Sequence, residues 1–425
     1  MKLFQQMLVA TASLGLFAPI AAQASDVFNL EGMNDYNRSK KSSSKRFDHN
    51  TFVNEVNEGL ATLKGSVDGL ETSQNNFEAS GFSETTSMDG KVIFSVGMAD
   101  TDDNPARYDG KVMANYTYQM NLNTSFSGDD NLYVRLKSGN HDGYSDIKSP
   151  ANTYLSAGKG NSDELRVDKI WYTMPIGERN TIWIGPKIEN YYMHATSPSI
   201  YKPVLKAFTL GGNAAAYGAD TSPGAGWAYN ADNGFAISSN FTSQDGNTAS
   251  GMLTAEALTS WATQIGYTQP QYSVSAIVNV KANGWIDEYY QSALGTARPG
   301  DGGSTNIGLR AWWRPQETGT ATPSISVGYD TSETDAVNNS NTNAYFVGLN
   351  WQDVINPDDK IGLAIGQPQM HEDDPVDPFL YEVYYDYKVN DSISVTPAIF
   401  GGTSNDGNGN EVDMHGYVIN TTFKF

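Results

Sequence analysis

The most reactive-looking side chains of this chain are cations set among aromatics and amides. Arg135 and Lys137 alternate along 130-139, opposite Leu132, Val134 and Leu136. A second group, Lys187, Tyr191, Tyr192, His194, Lys202, Lys206 and Phe208, precedes Gly211-Gly212-Asn213-Ala214-Ala215-Ala216. A third is Arg310 with Arg314 on the polar side of 305-315. Rings of lysine and arginine around a narrow aqueous passage favour anions. Arg135, Lys137, Lys187, Lys202, Lys206, Arg310 and Arg314 would together make a cationic eyelet inside an acidic protein, with Tyr191 and Tyr192 available to stack on sugar rings. The competing reading leaves the loop lysines on an outer surface, in water.

Catalytic chemistry has little support, and no catalytic residue, metal site or cofactor is expected. His49, His141, His194, His371 and His415 are scattered, with no Ser-His-Asp spacing and no paired-histidine metal motif. Asp406-Gly-Asn408-Gly-Asn410-Glu-Val-Asp413 is faintly like a calcium loop but lacks the closing glutamate of an EF-hand. His371-Glu372-Asp373-Asp374 reads as a solvated charge run in a loop rather than a cation site.

The elements that must hold the cations are strands. Apolar and polar residues alternate near 81-99, 111-127, 130-139, 165-175, 180-188, 225-231, 235-243 and 261-269. The pattern continues near 272-282, 305-315, 324-332, 343-352, 360-367, 379-389, 392-401 and 413-425. That makes sixteen. Short connections such as Gly177-Glu178-Arg179-Asn180 and Asn390-Asp391 are interleaved with long ones, the longest being 189-224. Short turns at one end and long loops at the other suit a membrane barrel, as do 24 tyrosines, 41 glycines and 18% charged residues. In 111-127 one face reads Val112, Ala114, Tyr116, Tyr118, Met120, Leu122 and the other Asn115, Thr117, Gln119, Asn121, Asn123. An apolar face towards lipid and a polar face inwards imply a wet lumen. A loop as long as 189-224 is the candidate to fold into it.

The two ends fix the compartment. Lys2, the apolar run Met7 to Ile20 and Ala22-Gln23-Ala24 have the form of a secretory signal, predicting a mature chain from Ser25. At the other end Tyr417, Ile419, Phe423 and Phe425 share one strand face, as in outer-membrane barrels, whose final strand pairs with the first. Cysteine is absent, which excludes thiol chemistry, and a net charge of -21 argues against nucleic-acid partners.

Between signal and barrel the expectation is a basic linker over 25-50 and a short coiled-coil helix over 51-79. Val53, Val56, Leu60, Leu63, Val67, Leu70, Gln74 and Phe77 follow a heptad seam, weakened by Gly59, Gly65 and Gly69. So short a seam is more plausible with three copies meeting beneath a trimer than alone. Arg38, Lys40, Lys41, Lys45 and Arg46 lie among serines, either as a solvated linker or in weak contact with anionic cell wall.

Several blocks resemble the carbohydrate-selective (OprB-type) porins, most closely their cyanobacterial branch. They are Leu122-Asn-Thr-Ser-Phe-Ser-Gly-Asp, Asp168-Lys-Ile-Trp-Tyr-Thr-Met-Pro-Ile-Gly, and Gly251-Met-Leu-Thr through Trp261-Ala-Thr-Gln-Ile-Gly-Tyr. The firmest is Tyr381-Glu-Val-Tyr-Tyr-Asp-Tyr-Lys-Val-Asn-Asp-Ser-Ile-Ser-Val-Thr-Pro. The resemblance implies an all-β, 16-stranded antiparallel transmembrane β-barrel over 80-425, in the outer membrane, a homotrimer in contact with lipid. Such a barrel passes small hydrophilic solutes: ions, small organics and sugars. Many cyanobacterial relatives carry a wall-binding domain before the coiled coil, for which this chain has no room. The alternative function is a structural tether between membrane and cell wall.

Overall fold

Alternation becomes architecture in the computed structural model, which describes residues 85–101, 110–141, 154–218, 220–285, 302–335, 341–405 and 410–425. The expected signal peptide 1-24, linker 25-50 and helix 51-79 lie outside the described residues. Sixteen strands follow in order: β1 (Thr86–Thr101), β2 (Met113–Thr124), β3 (Asn131–Gly139), β4 (Arg166–Ile176), β5 (Asn180–Ile188), β6 (Ser222–Asn230), β7 (Phe235–Gln244) and β8 (Leu258–Gln269). The second half comprises β9 (Tyr272–Ala282), β10 (Ser304–Trp313), β11 (Ser324–Thr334), β12 (Asn341–Gln352), β13 (Lys360–His371), β14 (Phe379–Asn390), β15 (Ile393–Asn405) and β16 (Glu411–Lys424). Each pairs antiparallel with its neighbours, and β1 pairs with β16, so the sheet closes on itself and leaves no edge.

Closure uses the last residue. β1 and β16 are in register from Lys91 opposite Lys424 to Thr101 opposite Met414. Beyond them the Phe425 carbonyl accepts from the Gly90 amide at 2.8 Å, and the Phe425 amide donates to the Gly90 carbonyl at 3.2 Å. Phe423 meets Phe94 edge-on at 5.3 Å on the outer face.

The outward residues form an exposed apolar band, including Phe94, Val96, Ile184, Trp261, Val278 and Leu309. Exposure of such side chains is stable in hydrocarbon and not in water. Inward positions of β1 to β4 and β7 to β11 carry polar side chains, among them Thr117, Gln119, Asn121, Ser238, Asn240 and Asn279.

The far wall departs from the expected wet lumen. There Phe346, Leu380, Tyr384, Phe400, Met414 and Val418 point inwards and are buried with Leu155, Tyr201, Val204, Leu205 and Phe208. These partners come from the second and third outer loops, so part of the inner wall is a dry core. An apolar inner face is paid for only where something covers it, and here the long third loop does.

One turn on the short-loop side shows how the strand ends are pinned. The Asp130 carboxylate accepts from the amides of Phe126 and Ser127 at 2.9 and 2.7 Å, and from the Tyr172 hydroxyl at 2.7 Å. These bonds hold its carboxyl well below the usual range, led by the Tyr172 hydroxyl and the Ser127 amide.

Candidate functional site

The third outer loop, residues 189–221, leaves β5 and enters the barrel. It runs along the inner wall first over β7, β8, β10 and β11. The amides of Ala195, Thr196 and Ile200 donate to Ser238 Oγ, Gln264 Oε1 and Ser326 Oγ at 3.1, 2.9 and 3.2 Å. Trp312 Nε1 donates to the Ser197 carbonyl at 3.1 Å.

Its turning point is Glu382 on β14. This buried carboxylate accepts from Tyr201 Oη at 2.8 Å, from the Val204 amide at 3.1 Å and from the Leu205 amide at 2.7 Å. The second outer loop clamps the same turn: Ser156 N donates to the Val204 carbonyl at 2.8 Å and Lys206 N to the Tyr154 carbonyl at 2.7 Å.

The loop then returns along the wall. Phe208 packs on Phe346, with ring centroids 5.4 Å apart. Gly211 and Gly212, with φ of 73° and 112°, take the left-handed turn that small, Cβ-free residues allow. Arg310 reaches up from β10 to the Leu210 carbonyl at 2.8 Å, pairs with Asp330 at 2.8 Å and lies 4.6 Å from the Tyr217 ring centroid. Lys281 Nζ donates to the Ala215 carbonyl at 2.7 Å. His194 is neutral here: burial pushes it down to about 3, and its Nδ1 lies 3.2 Å from Asn240 Nδ2.

With β7 to β14 covered, open space remains beside β1 to β4. A cavity of about 400 Å³ is enclosed there by Lys91, Thr117, Gln119, Arg135, Lys137, Asp168 and Lys169 of the wall, by Ser156 and Lys159 of the second loop, and by Glu189, Tyr191, Lys206 and Asp220 of the third. Six cationic side chains thus face three carboxylates. Lys159 pairs with Asp168 at 3.3 Å, and Lys169 pairs with Glu189. Burial works to raise the Glu189 carboxyl, but Lys169 and Lys206 outweigh it and hold Glu189 below the usual range. Burial likewise holds the Lys206 amine below the usual lysine range, against the pull of Glu189.

The remaining cations form no ion pair among the described residues, although Asp168 and Glu189 are near enough to act on them electrostatically. Lys91, Lys137 and Lys206 make no side-chain hydrogen bond or ion pair among the described residues. Arg135 is steadied by neutral groups alone, Nε to Asn121 Oδ1 at 3.2 Å and one terminal nitrogen to Tyr192 Oη at 3.1 Å. Its guanidinium also lies 5.4 and 5.8 Å from the ring centroids of Tyr133 and Tyr192. Cation–π contacts fix its position without neutralising it.

Of the residues singled out from the sequence, Arg135, Lys137, Tyr191 and Lys206 line this cavity and Tyr192 braces it. Tyr192 lies between Trp171 and Tyr191, 4.8 and 4.6 Å away, so its neighbours are protein rings. Lys187 lies elsewhere and donates to the Val167 carbonyl at 2.8 Å. Lys202 is exposed and outside the cavity lining. Arg310 is buried as a strut for the loop, and Arg314 sits at the short-turn rim, Nε to the Pro270 carbonyl at 2.6 Å.

Sequence reasoning missed Lys91, Lys159, Asp168, Lys169, Glu189 and Asp220. Lys91 had a signal: it shares an inward face with Ile93 and Ser95, and stands in register with Gln119, which is in register with Lys137.

A long loop folded against the inner wall of a closed barrel, beside a charged cavity, is the arrangement of a diffusion pore. The sequence model of the carbohydrate-selective porin, OprB family matches residues 49–423. The chain belongs to that family. This porin is a channel of the outer membrane through which solutes diffuse. It is 26% identical over 415 residues to an uncharacterized protein of Nostoc, covering 86% of this chain and 70% of that one. Its fold is similar to the high-pH structure of Pseudomonas putida OprB, with a TM-score of 0.57 at 12% identity over 80% of this chain and 94% of that one. OmpT of Vibrio cholerae, in a trimer form, gives a TM-score of 0.51 at 12% identity over 80% of this chain and 99% of that one. Family and fold are those of a channel rather than an enzyme, and they do not favour the tether alternative.

Proposed function

We propose that the cavity beside β1 to β4 is the constriction of the channel, and that it passes small hydrophilic anions in preference to cations. The observation that carries this reading is the set of four cationic groups, Lys91, Arg135, Lys137 and Lys206, that line the cavity without an ion pair among the described residues. In a narrow space with protein on most sides such charges are poorly screened, so each biases the ion content of the passage. Lys187, Lys202, Arg310 and Arg314 have no part in selection, because each lies outside the cavity lining.

The porin is exported with a signal peptide removed after Ala24 and assembles as a homotrimer. The trimer is supported by the expected heptad seam and by OmpT, a fold relative with a trimer form. The basic linker contributes at most a weak contact with the cell wall. Single-channel conductance of the purified protein in planar bilayers, with the reversal potential under a salt gradient, tests the reading. Closure in three equal steps and an anion-signed reversal potential are expected. A cation-signed potential would overturn the role given to the unpaired cations.

A further inference from the structure

The inner wall at the constriction is arranged to do more than bias diffusion. Lys91 on β1, Gln119 on β2 and Lys137 on β3 stand in one cross-strand row. The two lysines therefore start about 10 Å apart, two strand spacings, and flexible stems can bring both amines onto one small solute. Arg135 lies on the same face of β3, two residues away, and gives Nε to Asn121 and one terminal N–H to Tyr192 among the described residues. Most of its planar fork remains available. Thr117, one inward position along from Gln119, is 2% exposed, lines the cavity and has a hydroxyl without a partner among the described residues. Lys206 closes the space from the loop side.

All these charged groups are donors and none is an acceptor. The three carboxylates of the lining have their direct contacts elsewhere: Asp168 pairs with Lys159, Glu189 with Lys169, and Asp220 accepts from the Ser222 hydroxyl at 3.0 Å and the Thr221 amide at 2.8 Å. Sugar hydroxyls, which must both donate and accept, fit such a lining poorly. A compact solute with several acceptor oxygens and more than one negative charge fits it well.

We propose that Lys91, Arg135, Lys137, Lys206 and Thr117 form a saturable binding site for a free tetrahedral oxyanion of the phosphate and sulfate class, through which such ions cross one at a time. This deepens the anion-channel reading and rests on that cavity being the constriction. Binding lowers the entry barrier for the dianion and, while it is resident, obstructs chloride.

The test is the single-channel conductance of the full chain in potassium chloride, with inorganic phosphate added stepwise at constant ionic strength. A saturable fall in chloride conductance is expected. Lys137→Gln should raise the half-effective phosphate concentration about tenfold, the loss of one charge-assisted hydrogen bond. Lys137→Arg should keep the block, and Lys187→Gln, outside the cavity, should leave it unchanged. A chloride conductance that is anion-selective but indifferent to phosphate overturns the binding site and leaves the anion channel standing. A cation-selective channel overturns both. Equal block in the parent and in Lys137→Gln removes Lys137 from the site and with it the row on which the site is built.

Discussion

Glu382→Gln is the most discriminating perturbation of the scaffold that shapes the passage. The glutamate accepts three hydrogen bonds, two on Oε1 and one on Oε2, all from the turn of the third loop. Glutamine is nearly isosteric but has one acceptor oxygen. At best it keeps two of the three bonds, and its NH2 faces a donor, the Leu205 amide or the pair from Tyr201 and Val204. A buried donor left without an acceptor costs about 1–3 kcal/mol, and the two surviving bonds lose their charge assistance. Removal of a buried charge works in the opposite direction, since Glu382 is fully buried with no cation among its hydrogen-bond partners. Because the amide leaves a donor facing a donor, the first effect wins, by about 2 kcal/mol net. That shifts the equilibrium between the seated and released turn about 30-fold towards release. The loop stays inside the barrel, held by Arg310, Lys281 and the Phe208–Phe346 contact. The visible result is open-channel noise and brief conductance excursions, with little change in the cation lining. Single-channel recording reads this directly. A Glu382→Gln channel as quiet as the parent, or quieter, would show instead that relief of the buried charge outweighs the lost bonds.

Raising the pH should weaken anion preference before the ordinary lysine range is reached, because Lys206 is held below that range by burial and loses its proton as pH climbs. Reversal potentials measured from neutral to alkaline pH check this, and Lys206→Gln should flatten the early part of the curve. Arg310→Met leaves the Asp330 carboxylate buried and unpaired, which costs about 3–5 kcal/mol; Arg310→Met with Asp330→Leu should recover most of it in thermal unfolding of the detergent-solubilised barrel. Failure of the double variant to recover would show that the Leu210 carbonyl, rather than Asp330, is the partner that matters. At Gly328 an added methyl would collide with the Gly211 carbonyl, so Gly328→Ala should destabilise by about 1–3 kcal/mol and change conductance through a shifted loop. An unchanged melting temperature and conductance would contradict the close approach.

The strands were legible because alternation is a local property. The expected 272-282 coincides with β9, and 180-188 with β5, to the residue. In the last strand Tyr417 and Ile419 point out while Val418 and Asn420 are buried, as the face pattern requires. Where the reading stopped was at contacts between segments far apart in the chain. Nothing local tells Glu382 from Asp386 on the same face of β14, yet the first is buried beneath a loop 177 residues away and the second is not. As an inward cation, Arg310 reads from sequence alone as part of the eyelet. Its neutralising partner, Asp330, lies on the inward face of the next strand two residues from its in-register partner Gly328, and only the register reveals the diagonal pair.

The same distinction reconciles a chain of net charge -21 with the proposed anion preference of its constriction. Charges in water act over about 8 Å at physiological salt, so carboxylates beyond that distance do little in the passage. Of those that do reach it, Asp168 and Glu189 are ion-paired with Lys159 and Lys169 and Asp220 is hydrogen-bonded to Thr221 and Ser222, so six cations outnumber three carboxylates. What a permeating ion meets is the remainder: three amines, and a guanidinium held by two tyrosines and an asparagine. If the proposed anion preference holds, selectivity in this pore follows from which charges the fold leaves unpaired rather than from the net charge of the chain.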